Sequence, residues 1–178
     1  LVDVSGSMSS ENKLPLVRFL LDKALDFLDA EDTIAIATYA SNAGLVLSPT
    51  PVADRETIED AIDALAAGGS TSGAAGIDIA YNQAEEGFLE DGVNHVLLCT
   101  DGDFNVGPSA DEELVALIEE KRESGITLTA LGFGTGNLND SMMEKVSNAG
   151  NGTYSVISSE HQAEKYARYG LLNGMFFI

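Results

Sequence analysis

Hydrophobic positions along the chain change period repeatedly, and each change predicts an element. Leu14, Val17, Leu21, Ala24, Leu25 and Leu28 recur at helical spacing, the stripe expected of a helix with one buried face. Pro15 suits the first turn of that helix, where its missing N–H breaks no bond. The run from Thr33 to Tyr39 is apolar and β-branched and predicts a strand. Ser41-Asn42-Ala43-Gly44 reads as a turn into a second strand over 44–48. So short a connection predicts an antiparallel hairpin, not a crossover. Asp54 stands where it can cap a helix carrying Ile58, Ala61, Ile62 and Leu65. A helix of small residues follows from Gly73, with Ala74, Ala75, Ile77 and Ala80, able to lie close to a sheet.

The second half continues the alternation. Val93 to Thr100 is almost wholly apolar, the mark of a central strand buried on both faces. Leu114, Val115, Leu117 and Ile118 predict a helix, and Ile126 to Phe133 the next strand. Leu138, Met142, Met143 and Val146 predict another helix, closed near Gly150. A last strand over Thr153–Ile157 and a last helix over Ser159–Tyr169 follow. Strands alternating with helices imply a mostly parallel sheet with helices on both faces. The expected fold is therefore α/β: a Rossmann-like, doubly wound sheet of six strands with one antiparallel edge strand. One domain spans residues 1–170, and the apolar segment 171–178 stays unassigned. The chain opens at Leu1, and its first strand, Leu1-Val2, is expected to be cut short.

Candidate chemistry lies in three loops. Asp3-Val4-Ser5-Gly6-Ser7 sets one carboxylate and two hydroxyls at alternate positions just after a strand. Alternate side chains can face one spot, and Gly6 is expected to let backbone approach. Gly68-Gly69-Ser70-Thr71-Ser72-Gly73 is a glycine-rich loop with hydroxyls leading into a helix, and the apolar strand ends on Thr100-Asp101-Gly102. All these donors are hard oxygens, which suit Mg²⁺ or Mn²⁺, suit Ca²⁺ less well, and disfavour zinc or copper. A bland alternative treats the D-x-S-x-S run as turn residues or a helix cap.

In order and spacing, D-x-S-x-S, G-G-S-T and T-D-G resemble the metal-ion-dependent adhesion site of the von Willebrand factor type A domain. The resemblance covers nearly the whole chain. GGSTSGAAGI, LLCTDGDFNVG and LGFGTGN are similar to the bacterial YfbK-like group within that family. The resemblance implies that Ser5 and Ser7 ligate a metal through their hydroxyls. It implies that Thr71 ligates directly in one state, and Asp101 directly or through water. Asp3 would act mainly through water and hydrogen bonds. It implies a non-enzymatic module whose ion binds an Asp or Glu carboxylate of a partner protein, and an extracytoplasmic setting.

Rival chemistry finds less support. Residues 101–112 place oxygens at positions 1, 3, 5 and 12 of an EF-hand-like loop, but Val106 stands where that loop wants glycine. Ser109 and Glu112 fit a capping box for the next helix. A haloacid-dehalogenase-type phosphatase would use Asp3 as nucleophile but wants a second aspartate where Ser5 stands. No G-x-S-x-G elbow is present. Gly132-Phe133-Gly134-Thr135-Gly136 lacks both the third glycine of a dinucleotide loop and a phosphate-loop lysine, and reads as a tight loop. A metal-dependent phosphatase and a purely structural scaffold remain the alternatives.

Charge narrows the partner. The net charge is −20, from 29 acidic and 9 basic residues, so no basic patch is available to displace counterions from nucleic acid. No apolar run approaches the roughly 20 residues that cross a bilayer. Cys99, the single cysteine, sits in the apolar strand and is expected in the core. His95 is expected as a strand residue and His161 as a solvated helix residue.

Overall fold

The computed structural model describes residues 1–69, 74–102, 108–136 and 138–171. Six strands form one sheet: β1 (Val2–Asp3), β2 (Thr33–Tyr39), β3 (Ala43–Pro51), β4 (Asn94–Thr100), β5 (Ile126–Phe133) and β6 (Tyr154–Ile157). Their order is β3-β2-β1-β4-β5-β6, parallel throughout except for the β2–β3 hairpin at one edge. The helices are α1 (Leu14–Ala24), α2 (Arg55–Asp63), α3 (Ala74–Glu86), α4 (Pro108–Arg122), α5 (Asp140–Ala149) and α6 (Glu160–Lys165).

Alternation along the strands divides the core into two layers. Val2, Ile36, Cys99, Leu131 and Phe133 face α1, α2 and α6, meeting Leu20, Ile58, Ile62 and Ala163. Leu1, Tyr39, Val96, Leu98 and Leu128 face α3, α4 and α5, meeting Ile77, Tyr81, Leu114, Ile118, Met142 and Val146. The small-residue helix lies as close to the sheet as expected. A Cβ on Gly76 would come within 2.9 Å of the Tyr39 Cβ and 3.1 Å of Leu1 Cδ1. Overpacking of that kind costs about 1–3 kcal/mol.

Four local expectations need correction. α1 stops at Ala24; Leu25–Phe27 is a 3₁₀ turn and Leu28 is extended. β3 runs on through Pro49 to Pro51, beyond the predicted end at Ser48. An edge strand tolerates prolines because one side of its backbone lacks a strand partner, and the β2–β3 register shifts twice between Ile34 and Ala37. Asp54 does occupy the N-cap position of α2, but its side chain makes no capping bond. α4 begins at Pro108, which puts Ser109 inside the first turn instead of at the cap. Segment 172–178 lies outside the described residues.

Reversal of strand order between β1 and β4 matters most for function. The chain leaves β1 toward β2 on one side, and β4 leads to β5 on the other. Loops at the carboxyl ends of β1 and β4 therefore border one crevice, where ligands of such sheets bind. At the amino ends of β2 and β4 a separate cavity of about 440 Å³ lies beneath Leu1, lined by Leu28, Ile34, Ala84 and Leu97. There the Leu1 nitrogen donates to the Leu97 carbonyl at 2.8 Å.

Candidate metal centre

The loop after β1 is shaped from both sides. Val4 and Met8 pack into the core layer under α1, Met8 with no exposure. That anchoring leaves Asp3 and Ser5 on the opposite side of the backbone. A 3₁₀ turn over Gly6–Ser9 then brings Ser7 back toward Ser5, and the two hydroxyl oxygens stand 3.0 Å apart. Two backbone bonds tie the glycine-rich loop to this one. Gly6 N donates to Gly69 O at 3.0 Å, and Gly68 N donates to Val4 O at 2.7 Å. A Cβ on Gly6 would make only ordinary contact with Gly69 O, at 3.5 Å. Gly6 thus contributes its N–H here and is not needed for room. Thr71 lies outside the described residues, two positions beyond this tether.

Asp3 is fully buried and Asp101 only 7% exposed. Ser5 N donates to Asp3 Oδ1 at 2.8 Å, and the Thr100 hydroxyl donates to Asp3 Oδ2 at 3.0 Å. Burial raises the pKa of Asp3; the bonds from Ser5 and Thr100 oppose that rise, and the nearby Asp101 charge adds to it. Tyr39 lies fully buried beside Asp3 and Thr100, and its phenol is pushed well above its usual pKa, first by burial and then by the Asp3 charge. Each Asp3 oxygen already accepts one hydrogen bond.

The turn after β4 is set by Gly102. Its φ is +84°, and a Cβ there would fall 2.7 Å from Asn139 N and 2.9 Å from Leu138 Cα. Only glycine lets the segment before α5 close over this turn. Asn139 caps α5 by accepting from Met142 N. Thr100 accepts a bond from Gly102 N at 3.2 Å while bonding Asp3, so one hydroxyl couples the two acidic loops. Lys13 completes the group: its ammonium donates to Asp101 Oδ2 at 2.8 Å and to Ser7 O at 2.9 Å.

The crevice therefore gathers Asp3, Ser5, Ser7 and Asp101, four of the five predicted site residues. Sequence reasoning placed Thr100 in the T-D-G motif without giving it a role, and missed Tyr39 and Lys13. Nothing in the spacing marked the last two. The donor set fits a small, hard cation: two adjacent hydroxyls and two carboxylates whose charges raise each other's cost, one of which, Asp101, is already paired with the Lys13 ammonium. Among the described residues no group of three or more His, Cys, Asp or Glu that could hold a metal ion occurs; the donors gathered here are carboxylate and hydroxyl oxygens.

Strand order and crevice define a Rossmann-like α/β domain with an oxygen-rich site at the carboxyl edge of its sheet. The family model for the von Willebrand factor type A domain matches residues 1–168, and the chain belongs to that family. It is 42% identical to the uncharacterized protein YfbK of Escherichia coli strain K12 over 93% of this chain, and spans 29% of that relative's length. Solved structures under 25% identical share the fold. A von Willebrand factor type A protein from Catenulispora acidiphila superposes with TM-score 0.81 at 19% identity, over 98% of this chain and 41% of that one. Proximal thread matrix protein 1 from the mussel byssus, with a zinc-occupied MIDAS motif, gives 0.69 at 24% identity, over 93% and 42%. The manganese-loaded TRAP protein of Plasmodium vivax gives 0.71 at 17% identity, over 92% and 68%.

Proposed function

We propose that this chain is a divalent-cation-dependent protein-binding module. Asp3, Ser5, Ser7, Thr71 and Asp101 would hold Mg²⁺ or Mn²⁺, and the ion would take an Asp or Glu carboxylate of a partner. The convergence of the β1, Gly68–Gly69 and β4 loops on one crevice carries this reading. Segments far apart in sequence are joined there by the Gly6–Gly69, Gly68–Val4 and Thr100–Asp3 bonds. The manganese and zinc of the two structural neighbours support a divalent ion at such a crevice.

The residues divide the work by their chemistry. Ser5 and Ser7 supply neutral oxygens. Asp101 supplies charge from the floor of the crevice, and Asp3 orients Ser5 and Thr100 by hydrogen bonds. Two carboxylates and three hydroxyls leave a six-coordinate ion short of strong ligands, so it keeps waters or accepts a carboxylate from outside. When bound, the ion supplies a positive centre that draws an acidic group to an acidic protein. Pull-downs with the whole protein test the reading. Partners recovered in Mg²⁺ should be lost in chelator and on changing one Asp or Glu of the partner. Recovery of the same partners in chelator would contradict it.

A further inference from the structure

Lys13 occupies a place that the proposed function does not explain. Its ammonium reaches Asp101 Oδ2 at 2.8 Å and Ser7 O at 2.9 Å, so it bridges two segments assigned to the ion. The position is built, not incidental. Lys13 is the N-cap of α1, its carbonyl accepting from Val17 N at 2.9 Å and its own N–H donating to Ser10 O at 3.0 Å. The tether therefore starts from a fixed helix end. The stem lies against the turn after β5, where Gly134 has φ +105° and a Cβ would meet Lys13 Cε at 3.1 Å and Cγ at 3.5 Å. A Cβ at 134 would press on the lysine stem, which would have to give by a few tenths of an ångström. The lysine side chain is 24% exposed and the Asp101 side chain 4%, so the carboxylate is enclosed while the lysine borders solvent.

We infer that Lys13 is a tethered cation competing with the divalent ion for Asp101, and that it sets the affinity of the site. The inference rests on the reading of Asp101 as a metal ligand. A carboxylate oxygen that accepts from an ammonium at 2.8 Å does not offer the same lone pair to a metal, and two cations on neighbouring oxygens repel. Loading the ion therefore releases Lys13 toward solvent, the direction in which it is already exposed. Without the ion, Lys13 neutralises one member of a buried acidic pair. With it, the site fills only where the free ion is abundant enough to displace the lysine. The released ammonium then stands at the rim of the crevice that a partner carboxylate would enter.

Mn²⁺ titration by calorimetry, with melting in chelator, tests this on the wild-type chain, Lys13→Met, Lys13→Arg and Asp101→Asn. Lys13→Met keeps the stem and removes the charge. It should bind Mn²⁺ about tenfold more tightly, the scale of one charge-assisted hydrogen bond, and should melt lower in chelator. Lys13→Arg should stay near wild type. The loss of melting temperature in chelator should vanish when Lys13→Met is combined with Asp101→Asn, which a long-range charge effect would not produce. Equal or weaker Mn²⁺ binding by Lys13→Met, while wild type binds and Asp101→Asn does not, overturns the competition and leaves the metal reading standing. Absence of Mn²⁺ binding in wild type and Lys13→Met alike removes both.

Discussion

Asp3 and Asp101 show how burial turns ordinary acidic residues into a site. Each carboxylate is almost wholly enclosed, and the cost of holding both charges is met by the Ser5 N–H, the Thr100 hydroxyl and the Lys13 ammonium. The D-x-S-x-S pattern made Asp3, Ser5 and Ser7 legible in the sequence, although a 3₁₀ turn over Gly6–Ser9, and not a strand's period of two, brings Ser7 to Ser5. Asp101 was legible as the polar end of an apolar run. Lys13 was not, because an ammonium reaching across 88 positions leaves no local pattern. Tyr39 read as plain core, and only the sheet brings its ring to Asp3. For Thr71, two positions beyond the Gly68–Gly69 tether, the metal reading expects Thr71→Val to lower Mn²⁺ affinity about tenfold with melting in chelator unchanged. Calorimetry and melting check both halves, and a large loss of stability in chelator would mark the hydroxyl as structural instead.

Elements with long apolar runs, β4 and β5 above all, were legible nearly to the residue, because few polar positions interrupt them. Ends of elements were less so. The predicted end of β3 at Ser48 fell short of the prolines that an outer edge accepts; Ser109 fitted a capping pattern, yet Pro108 is also a good first helical residue. Cross-strand pairing carries a pH effect of its own. His95 and Thr127 are register partners in β4 and β5, with Nδ1 and Oγ1 2.6 Å apart. Burial lowers the His95 pKa from the ordinary 6.5 to about 4. The unfolded chain then binds the proton more readily than the folded one. Stability is full above pH 6.5 and falls as pH drops toward about 4. Denaturant melts should show His95→Gln losing about 1–2 kcal/mol less than wild type across that window, since the group is half-buried and its shift only partly counts. Equal losses would mean that His95 does not carry the effect.

At the scale of the whole molecule, strand–helix alternation made the doubly wound sheet legible, with the hairpin edge marked by its short turn. Sheet order was not written in any one segment; the family resemblance and the fold supply the reversal between β1 and β4. A net charge of −20 repels an acidic partner at long range, and salt screens that repulsion over about 8 Å at physiological ionic strength. A direct bond from ion to carboxylate is screened far less. Partner binding in Mg²⁺ should therefore hold or strengthen as salt rises, and a steep loss would point to ordinary surface ion pairs. The central claim is the ion itself, held by Asp3, Ser5, Ser7, Thr71 and Asp101. Calorimetric titration of Mn²⁺ into wild type and Asp101→Ala tests it most directly. One site in wild type and none in Asp101→Ala is the predicted result, and equal binding by the two would contradict it.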